Sequence, residues 1–468
     1  MRNLRLLTPK LLQPATGHRQ AATGIFWLAV VAIFLQVFLG YVVFDAAGIS
    51  PQLIKLHPAT LLVMVGGIWA LIRGVPFQQR CRETPGLVVF IVLIPVLAVY
   101  GAISTGVSGS AIYPETYWSA GLLAVMLQPA SPKQKRLLAK LLIAICVINV
   151  CVALIESRTA TNWFPAVFDP DSLDRKIHTD VDFRANAFFN HPLTGSLVTT
   201  MGIFLVYAMQ MRFIAAASIF GFLLVGLLAF GGRTALAVTM ILTMGMAFYT
   251  LMSGIIRRNL KLDFVLAVLA GAIVIPILLA VIVTQTTIAE RIMDTLYYDD
   301  SAEVRTMQLK IFQHLTLPDW LFGITRDRFS FLKYQISLGG TTTDVENFWF
   351  IMLIGLGVIG FAVWLAVFLG FLYYLGRVSR NVNGWLLVIA SLIIDSGSNS
   401  LGVKTYDLFI EVAFVMAMSG YAGYVRSPRM SRPQAWNRLN PIGRPESALA
   451  GVVAAPGRGL QMFASRPS

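Results

Sequence analysis

Two arginines and a histidine, set where apolar sequence gives way to polar sequence, are the side chains best suited to chemistry on a phosphorylated ligand. Arg184 and His191 close the segment VDFRANAFFNHPLTGS, just ahead of an apolar stretch. A group there faces both aqueous solvent and the membrane surface. Guanidinium stays charged and binds phosphate oxygens in bidentate fashion, and imidazole gives or takes a proton near neutrality. Arg184 reads equally well as an ion-pair partner of Asp180 or Asp182, and His191 as the residue that opens a helix at Pro192. Arg233 follows Gly231 and Gly232 in a tight turn, where the glycines let a ligand or another backbone approach. The alternative is an arginine that reaches to the membrane interface.

Three further regions carry polar groups. In SAEVRTMQLKIFQHLTLPDWLFG, Val304, Met307, Ile311 and Leu315 repeat at helical spacing, Ser301 suits a cap and Glu303 suits the first turn. This predicts an amphipathic helix lying on the membrane or on a helical bundle, with Arg305, Gln308 and Lys310 on its polar side. Lys310 reads better as a solvated group, and His314 and Lys333 are less distinctive. Arg326, Asp327 and Arg328 form a charged turn downstream. TTTDVENFWFIMLIGLGVIG places Asp344, Glu346 and Asn347 at the mouth of another apolar stretch. A carboxylate at the edge of a low-dielectric site can act as general base, although Glu346 is equally suited to the positive end of a helix dipole. Asp395 and Glu411 lie within apolar sequence, a pattern that transporters use.

The elements that must position these groups are membrane helices. The 468 residues are 56% hydrophobic and 13% charged, with a mean hydropathy of +0.71, which excludes a water-soluble protein. Windows of roughly 17 to 25 apolar residues match a hydrocarbon core of about 30 Å. They fall near 24–44, 58–72, 86–103, 117–127, 137–155, 193–209, 213–230, 234–252, 263–283, 346–375, 385–401 and 406–424. The expectation is an all-α polytopic transmembrane bundle of about 12 spans. The fourth window is the shortest: it is tilted, extended by the polar stretch from Ile112 to Thr116, or not a span. Two loops are long, Glu156 to Pro192 and Thr284 to Val345, and are expected to contain short helices. Residues 1–23 form a basic leader to a retained first span, 24–424 the bundle, and 425–468 a basic, disordered tail.

Charge sets the orientation. Alternating the loops gathers most of the 37 Lys and Arg residues on the side of the N-terminus, with only Glu83, Asp263 and Glu446 of the 23 acidic ones. Both termini are therefore expected in the cytoplasm, with both long loops on the periplasmic face of an inner membrane. The net charge of +14 is thereby explained by headgroup anchors such as Arg80, Lys135 and Arg257, so no nucleic-acid partner is expected. Cys81, Cys146 and Cys151 offer no disulfide framework. No G-x-x-x-x-G-K-[ST] loop is present, and no cofactor or metal is expected.

The order of these motifs resembles the bacterial O-antigen ligase and polysaccharide polymerase superfamily, of WaaL and Wzy type. The resemblance lies in Phe188-Phe189-Asn190-His191-Pro192-Leu193-Thr194-Gly195, then Gly232-Arg233-Thr234-Ala235-Leu236. It continues in Arg305 with the following helix and Leu321-Phe322-Gly323, and in Glu346-Asn347-Phe348-Trp349 with Gly355-Leu356-Gly357, covering roughly residues 180 to 375. Ligases of this type usually carry a histidine where this chain has Glu346, which is more similar to the polymerases. The resemblance implies metal-independent glycosyl transfer at the periplasmic face, from a glycan carried on a polyprenyl diphosphate. On that expectation Arg184, Arg233 and Arg305, with Asn347, Arg326 and Arg328, hold the donor diphosphate, and Glu346 or His191 is the catalytic base. Partners would be the lipid-linked oligosaccharide, membrane lipid, and flippase and chain-length-regulator proteins. A ligase acting on a lipid A core and a secondary transporter or lipid-glycan flippase are the competing readings.

Overall fold

The computed structural model describes residues 18–39, 56–73, 77–104, 112–163, 183–189, 191–209, 211–256, 308–336, 345, 347–397 and 406–421. The expectations for Arg305, Glu346, the window 263–283, most of the leader and the tail 425–468 fall outside these residues.

Every regular element among the described residues is helical. In chain order they are α1 (His18–Phe38), α2 (Pro58–Arg73), α3 (Phe77–Glu83) and α4 (Pro85–Ser104). A π-helical segment, Tyr113–Trp118, runs into α5 (Ser119–Leu127), followed by α6 (Pro132–Thr159). Then come α7 (Pro192–Ala208), α8 (Phe213–Phe230) and α9 (Arg233–Ile256). A 3₁₀ turn at Leu309–His314 precedes α10 (Leu317–Phe322) and α11 (Arg326–Gln335). The last are α12 (Phe348–Ser379), α13 (Val382–Ser396) and α14 (Asp407–Met418). By length and composition α4, α6, α8, α9 and α12 can cross a membrane, and α2, α7, α13 and most of α1 are shorter apolar helices.

The surface chemistry is that of a membrane protein. On α9, Ile241, Met244 and Phe248 are exposed, whereas Thr239 and Thr243 are buried. Thr239 Oγ1 lies 3.0 Å from Thr200 Oγ1 of α7, and the Thr243 hydroxyl donates to its own helix at the Thr239 carbonyl. Apolar groups outward and hydroxyls inward is the arrangement a lipid solvent favours. Helices approach closely over small residues, as expected where packing rather than water release drives association. A Cβ on Gly202 of α7 would lie 2.9 Å from Cys146 Sγ of α6, and one on Gly226 of α8 would overlap Val150 of the same helix.

Three sequence expectations are corrected. The window 346–375 is not one straight helix, because Gly357 adopts φ 65° and ψ 173° and breaks α12. In a straight helix residues 348 and 364 would stand about 24 Å apart at 1.5 Å per residue. The Phe348 and Trp364 ring centroids are instead 6.1 Å apart, and Trp349 lies 6.4 Å from Phe368. The 348–356 arm thus folds back along 358–379, whose outer part is flanked by α4 and stacked through Phe90 on Phe371 at 3.9 Å. Second, the amphipathic helix expected to run through Leu315 is, in its described part, a 3₁₀ turn that stops before Thr316. There a Thr316–Asp319 capping box and Pro318 start α10 afresh. Third, Arg326, Asp327 and Arg328 form the first turn of α11 behind the N-cap Thr325, not a free turn. The short fourth window is extended by residues 113–118 as a π-helix, and α5 is wholly buried.

Candidate functional site

The segment 183–189 is held by α6. Glu156 Oε2 accepts backbone N–H groups of Asn186 at 2.9 Å and Ala187 at 2.7 Å, and Oε1 accepts that of Trp163 at 2.8 Å. Seven residues earlier, two turns along the same face, Asn149 Oδ1 accepts the Phe188 N–H at 3.2 Å. Glu156 and Asn149 are both fully buried. Ala187 takes φ 48°, so the loop turns sharply where these bonds converge. The Ala185 N–H reaches the Ala229 carbonyl in the last turn of α8, and the Phe189 ring packs against Tyr406 ahead of α14. The loop is thereby tied to three helices, and Arg184 and His191 remain exposed at its ends.

His191 is the N-cap of α7, its Nδ1 accepting the Leu193 N–H at 3.2 Å. The sequence left open whether it caps or reacts; the structure shows that it caps, through Nδ1. With Nδ1 engaged as acceptor, the neutral ring carries its proton on Nε2 and presents a donor there. The ring is reached by solvent yet crowded by protein. That crowding, then the charge of Arg184, holds its pKa below the ordinary histidine value. Neutral His191 therefore suits hydrogen-bond donation to an anion better than general-base catalysis.

Arg233 opens α9 after a glycine turn. Gly231 takes φ 66° as the C-cap of α8, and its N–H bonds to the Leu228 carbonyl. Gly232 presses on the Ser196 side chain of α7, and Gly195 on the Phe230 ring, so a side chain at either glycine would force the helices apart. This packing brings the start of α9 to the start of α7, and with it exposed Arg233 to the rim that carries Arg184 and His191.

The fourth wall is α12. Asn347 caps it, Oδ1 accepting the N–H groups of Trp349 at 2.9 Å and Phe350 at 3.4 Å. Because the 348–356 arm folds back, Asn347 caps it beside the aromatic cluster of the long arm. Trp349 Nε1 donates to Ser396 Oγ at the end of α13, and Thr234 lies 4.0 Å from where a Cβ on Gly397 would stand. The ends of α7, α8, α9, α13 and α14 and the inner end of the folded arm therefore share one level.

At the other end of that arm, two glycine motifs meet. A Cβ on Gly323 (φ 86°) would overlap the Gly355 carbonyl, and one on Gly357 would lie 2.5 Å from the Leu321 carbonyl oxygen. The Ile324 N–H donates to the Ile354 carbonyl at 3.0 Å, and the Tyr100 hydroxyl donates to the Phe322 carbonyl at 2.6 Å. Ile311, Ile324, Leu332, Ile336, Val345 and Ile354 form a separate apolar core that fastens residues 308–336 to the arm. Arg328 belongs to this fastening: its Nη2 lies 2.6 Å from Asp319 Oδ2, bridging α11 to α10. Partial burial pushes the Asp319 carboxyl up, but hydrogen bonds from Thr316 and the Arg328 charge outweigh it and hold the pKa below the usual value.

The structure sets the Arg184 charge against His191, places Arg233 at the start of α9, which packs through Gly232 on Ser196 of α7, and sets Asn347 to capping. It gives Arg328 a structural partner and places Arg326 at the start of α11. Glu156 and Asn149 went unread in the sequence. Their signal was present: a carboxylate and an amide two turns apart on an apolar helix. No family model matches the chain, and no curated protein matches it.

Proposed function

We propose that this membrane protein transfers a glycan from a polyprenyl diphosphate to an acceptor sugar hydroxyl, as a polysaccharide polymerase of the WaaL and Wzy type. The observation that carries the reading is the single rim on which a rigid loop and a glycine turn present Arg184, His191 and Arg233. In this reading two guanidinium groups and a neutral Nε2–H donor would together complement a diphosphate, whose charge grows as it leaves. In the step proposed, the acceptor oxygen bonds to the anomeric carbon. The bond from that carbon to the diphosphate breaks with its electron pair, and the hydroxyl proton passes to a base. Glu346, beside Asn347 in sequence, is the residue we assign as that base, since His191 uses its Nδ1 lone pair in capping. The assignment to the periplasmic face of a bacterial inner membrane, the span count of about 12 and the cytoplasmic termini rest on the distribution of Lys and Arg.

The test is incubation of the purified protein in nanodiscs with its native polyprenyl-diphosphate oligosaccharide, following product length. A ladder that disappears in Arg184→Ala and Arg233→Ala supports the reading. A ladder unchanged in both variants refutes it. Modification of an added acceptor, without a ladder, would instead identify a ligase. A transporter or flippase is the second reading, favoured by the burial of Asp395 and Glu411 inside the bundle, and it would move the lipid-linked substrate without altering it.

A further inference from the structure

At the far end of α6 from the loop 183–189, α2 and α4 leave an apolar cleft between them. Both helices pack on α5 rather than closely on each other. Gly66 and Gly67 bring α2 onto Met126 and Leu122 of α5, and Gly121 of α5 meets Phe90 and Ile91 of α4. The space left between α2 and α4 has a volume of about 170 Å³. Its apolar lining includes Leu71, Leu87, Val88, Val92 and Val125, and Arg80 of α3 completes the wall. Leu71 and Val125 sit in the last turns of α2 and α5, and Leu87 to Val92 in the first two turns of α4. The cleft therefore lies where these helices end. Val92 is 48% exposed at its edge, and Ile68, Ile72 and Val89 on the same two helices are exposed as well, so the mouth opens onto an apolar outer surface.

Arg80 is only 4% exposed. Its Nη1 donates to Gln128 Oε1 and its Nη2 to the Ala70 carbonyl, both at 3.3 Å. These neutral oxygens at the ends of α5 and α2 hold the guanidinium in the cleft wall. Glu83, one turn on in α3, accepts Gln79 Nε2 at 3.0 Å. Burial disfavours the Arg80 charge, which an anion beside it would favour. The Tyr374 hydroxyl of α12, buried and without a hydrogen-bond partner, is near enough to act on the same guanidinium. Arg73 and Arg82 are exposed at this end, where a basic surface attracts anionic headgroups.

We propose that the cleft binds one anionic phospholipid, its phosphate against Arg80 and the first part of an acyl chain between α2 and α4. An apolar cavity of about 150 Å³ accepts a molecule the size of benzene, so this one holds a stretch of roughly six chain carbons. Guanidinium supplies the charge and the paired donors that a phosphate diester accepts. The inference is independent of the transfer reading. Lys135, whose Nζ donates to the Gln128 carbonyl at 3.4 Å, marks this end of α6, and Glu156, which holds the loop 183–189, lies about 32 Å further along that helix.

The experiment is native mass spectrometry of the purified full-length chain, with phosphatidylglycerol or phosphatidylcholine of matched acyl chains added in detergent. We expect phosphatidylglycerol to bind about tenfold more tightly, somewhat more than one exposed basic residue provides. Arg80→Gln should remove that preference. Val88→Phe, which fills the cleft and leaves Arg80 and its bonds in place, should abolish the bound lipid, and it decides the matter should Arg80→Gln not fold. Arg73→Gln with Arg82→Gln should retain most of the preference. Equal binding of the two lipids by the wild type overturns the proposal. So does binding that Val88→Phe leaves unchanged, a preference that Arg80→Gln keeps, or one that the Arg73→Gln, Arg82→Gln pair alone removes.

Discussion

Replacing Glu156 should release the loop that presents Arg184 and His191 while leaving the bundle intact. Each N–H bonded to a carboxylate contributes roughly 1.5–3 kcal/mol, and a buried donor left bare costs about 1–3 kcal/mol. The three donors are not equivalent. Trp163 is exposed and finds water, Asn186 is half-buried, and Ala187 is buried. Discounting the first, Glu156→Ala should lower the free energy of opening segment 185–189 by roughly 3–5 kcal/mol, a factor of about 10² to 4 × 10³ at 1.4 kcal/mol per decade. Glu156→Gln keeps one oxygen for Asn186 and Ala187 and turns its amide toward Trp163, so its effect should be about tenfold. Hydrogen–deuterium exchange in nanodiscs reads this directly. Amides 185–189 should lose protection in the order Ala, Gln, wild type, while amides in the middle of α7 and α8 keep theirs. Protection of 185–189 unchanged in Glu156→Ala would refute the idea that this carboxylate holds the loop.

Other outcomes follow from the same geometry. Gly357→Ala and Gly323→Ala each force a side chain into positive φ and into a neighbouring backbone, so each should cost at least about 2 kcal/mol. Measured by thermal unfolding, their double substitution should cost less than the sum, because the two glycines share one contact. His191→Asn retains an N-cap and deletes the Nε2–H donor, so it should fold normally and lose transfer activity, whereas His191→Ala should also lose about 1 kcal/mol of stability. Protonation keeps the Nε2–H but takes the Nδ1 lone pair that caps α7 and so displaces the ring; with the imidazolium disfavoured in the wild type, the rate should stay level through neutral pH and fall only below the ordinary histidine value. Arg184→Ala should move that fall to higher pH in whatever activity remains. Arg328→Ala should cost roughly 0.5–1 kcal/mol, since the pair is partly solvated, without weakening donor binding. Because the folded Asp319 carboxyl titrates below its ordinary value, that contribution is present above the ordinary value and is lost as pH falls through the folded one. A pH series of unfolding curves for wild type and Arg328→Ala should therefore converge in acid.

Among the described residues the apolar windows fall on helices, because hydropathy and helix length are local properties. The Gly231-Gly232-Arg233 turn was legible for the same reason, as a turn is written in two or three residues; Asn347, read as a donor-binding residue, turned out to cap α12. The fold-back of α12 was not legible, since nothing in an apolar run that includes Gly355, Gly357 and Gly360 says which glycine will bend. It is Leu321 to Gly323, over thirty residues upstream, that takes up the exposed backbone of Gly357. Glu156 was hidden similarly. It read as the polar end of a span, and its purpose emerges only when amides thirty residues later fold onto it. Arg328 shows the reverse case, a cation at a suggestive place whose partner was nine residues away.

The lengths of neighbouring helices set the depth of the rim. α13 has 15 residues and rises about 22 Å, α7 has 17 and rises about 25 Å, and the long arm 358–379 of α12 rises about 33 Å. The long arm and α13 are joined by a two-residue turn and start from one level, so α13 stops about 11 Å short of Gly357. The same offset places Phe348 beside Trp364. Set against a hydrocarbon slab about 30 Å thick, the long arm and α4, whose 20 residues rise about 30 Å, match the bilayer, whereas α13 and α7 fall short of it. The mismatch must be met by a dimpled leaflet or a pool of water. On the transfer reading proposed above, a lipid-borne head group would meet this protein by sinking toward it.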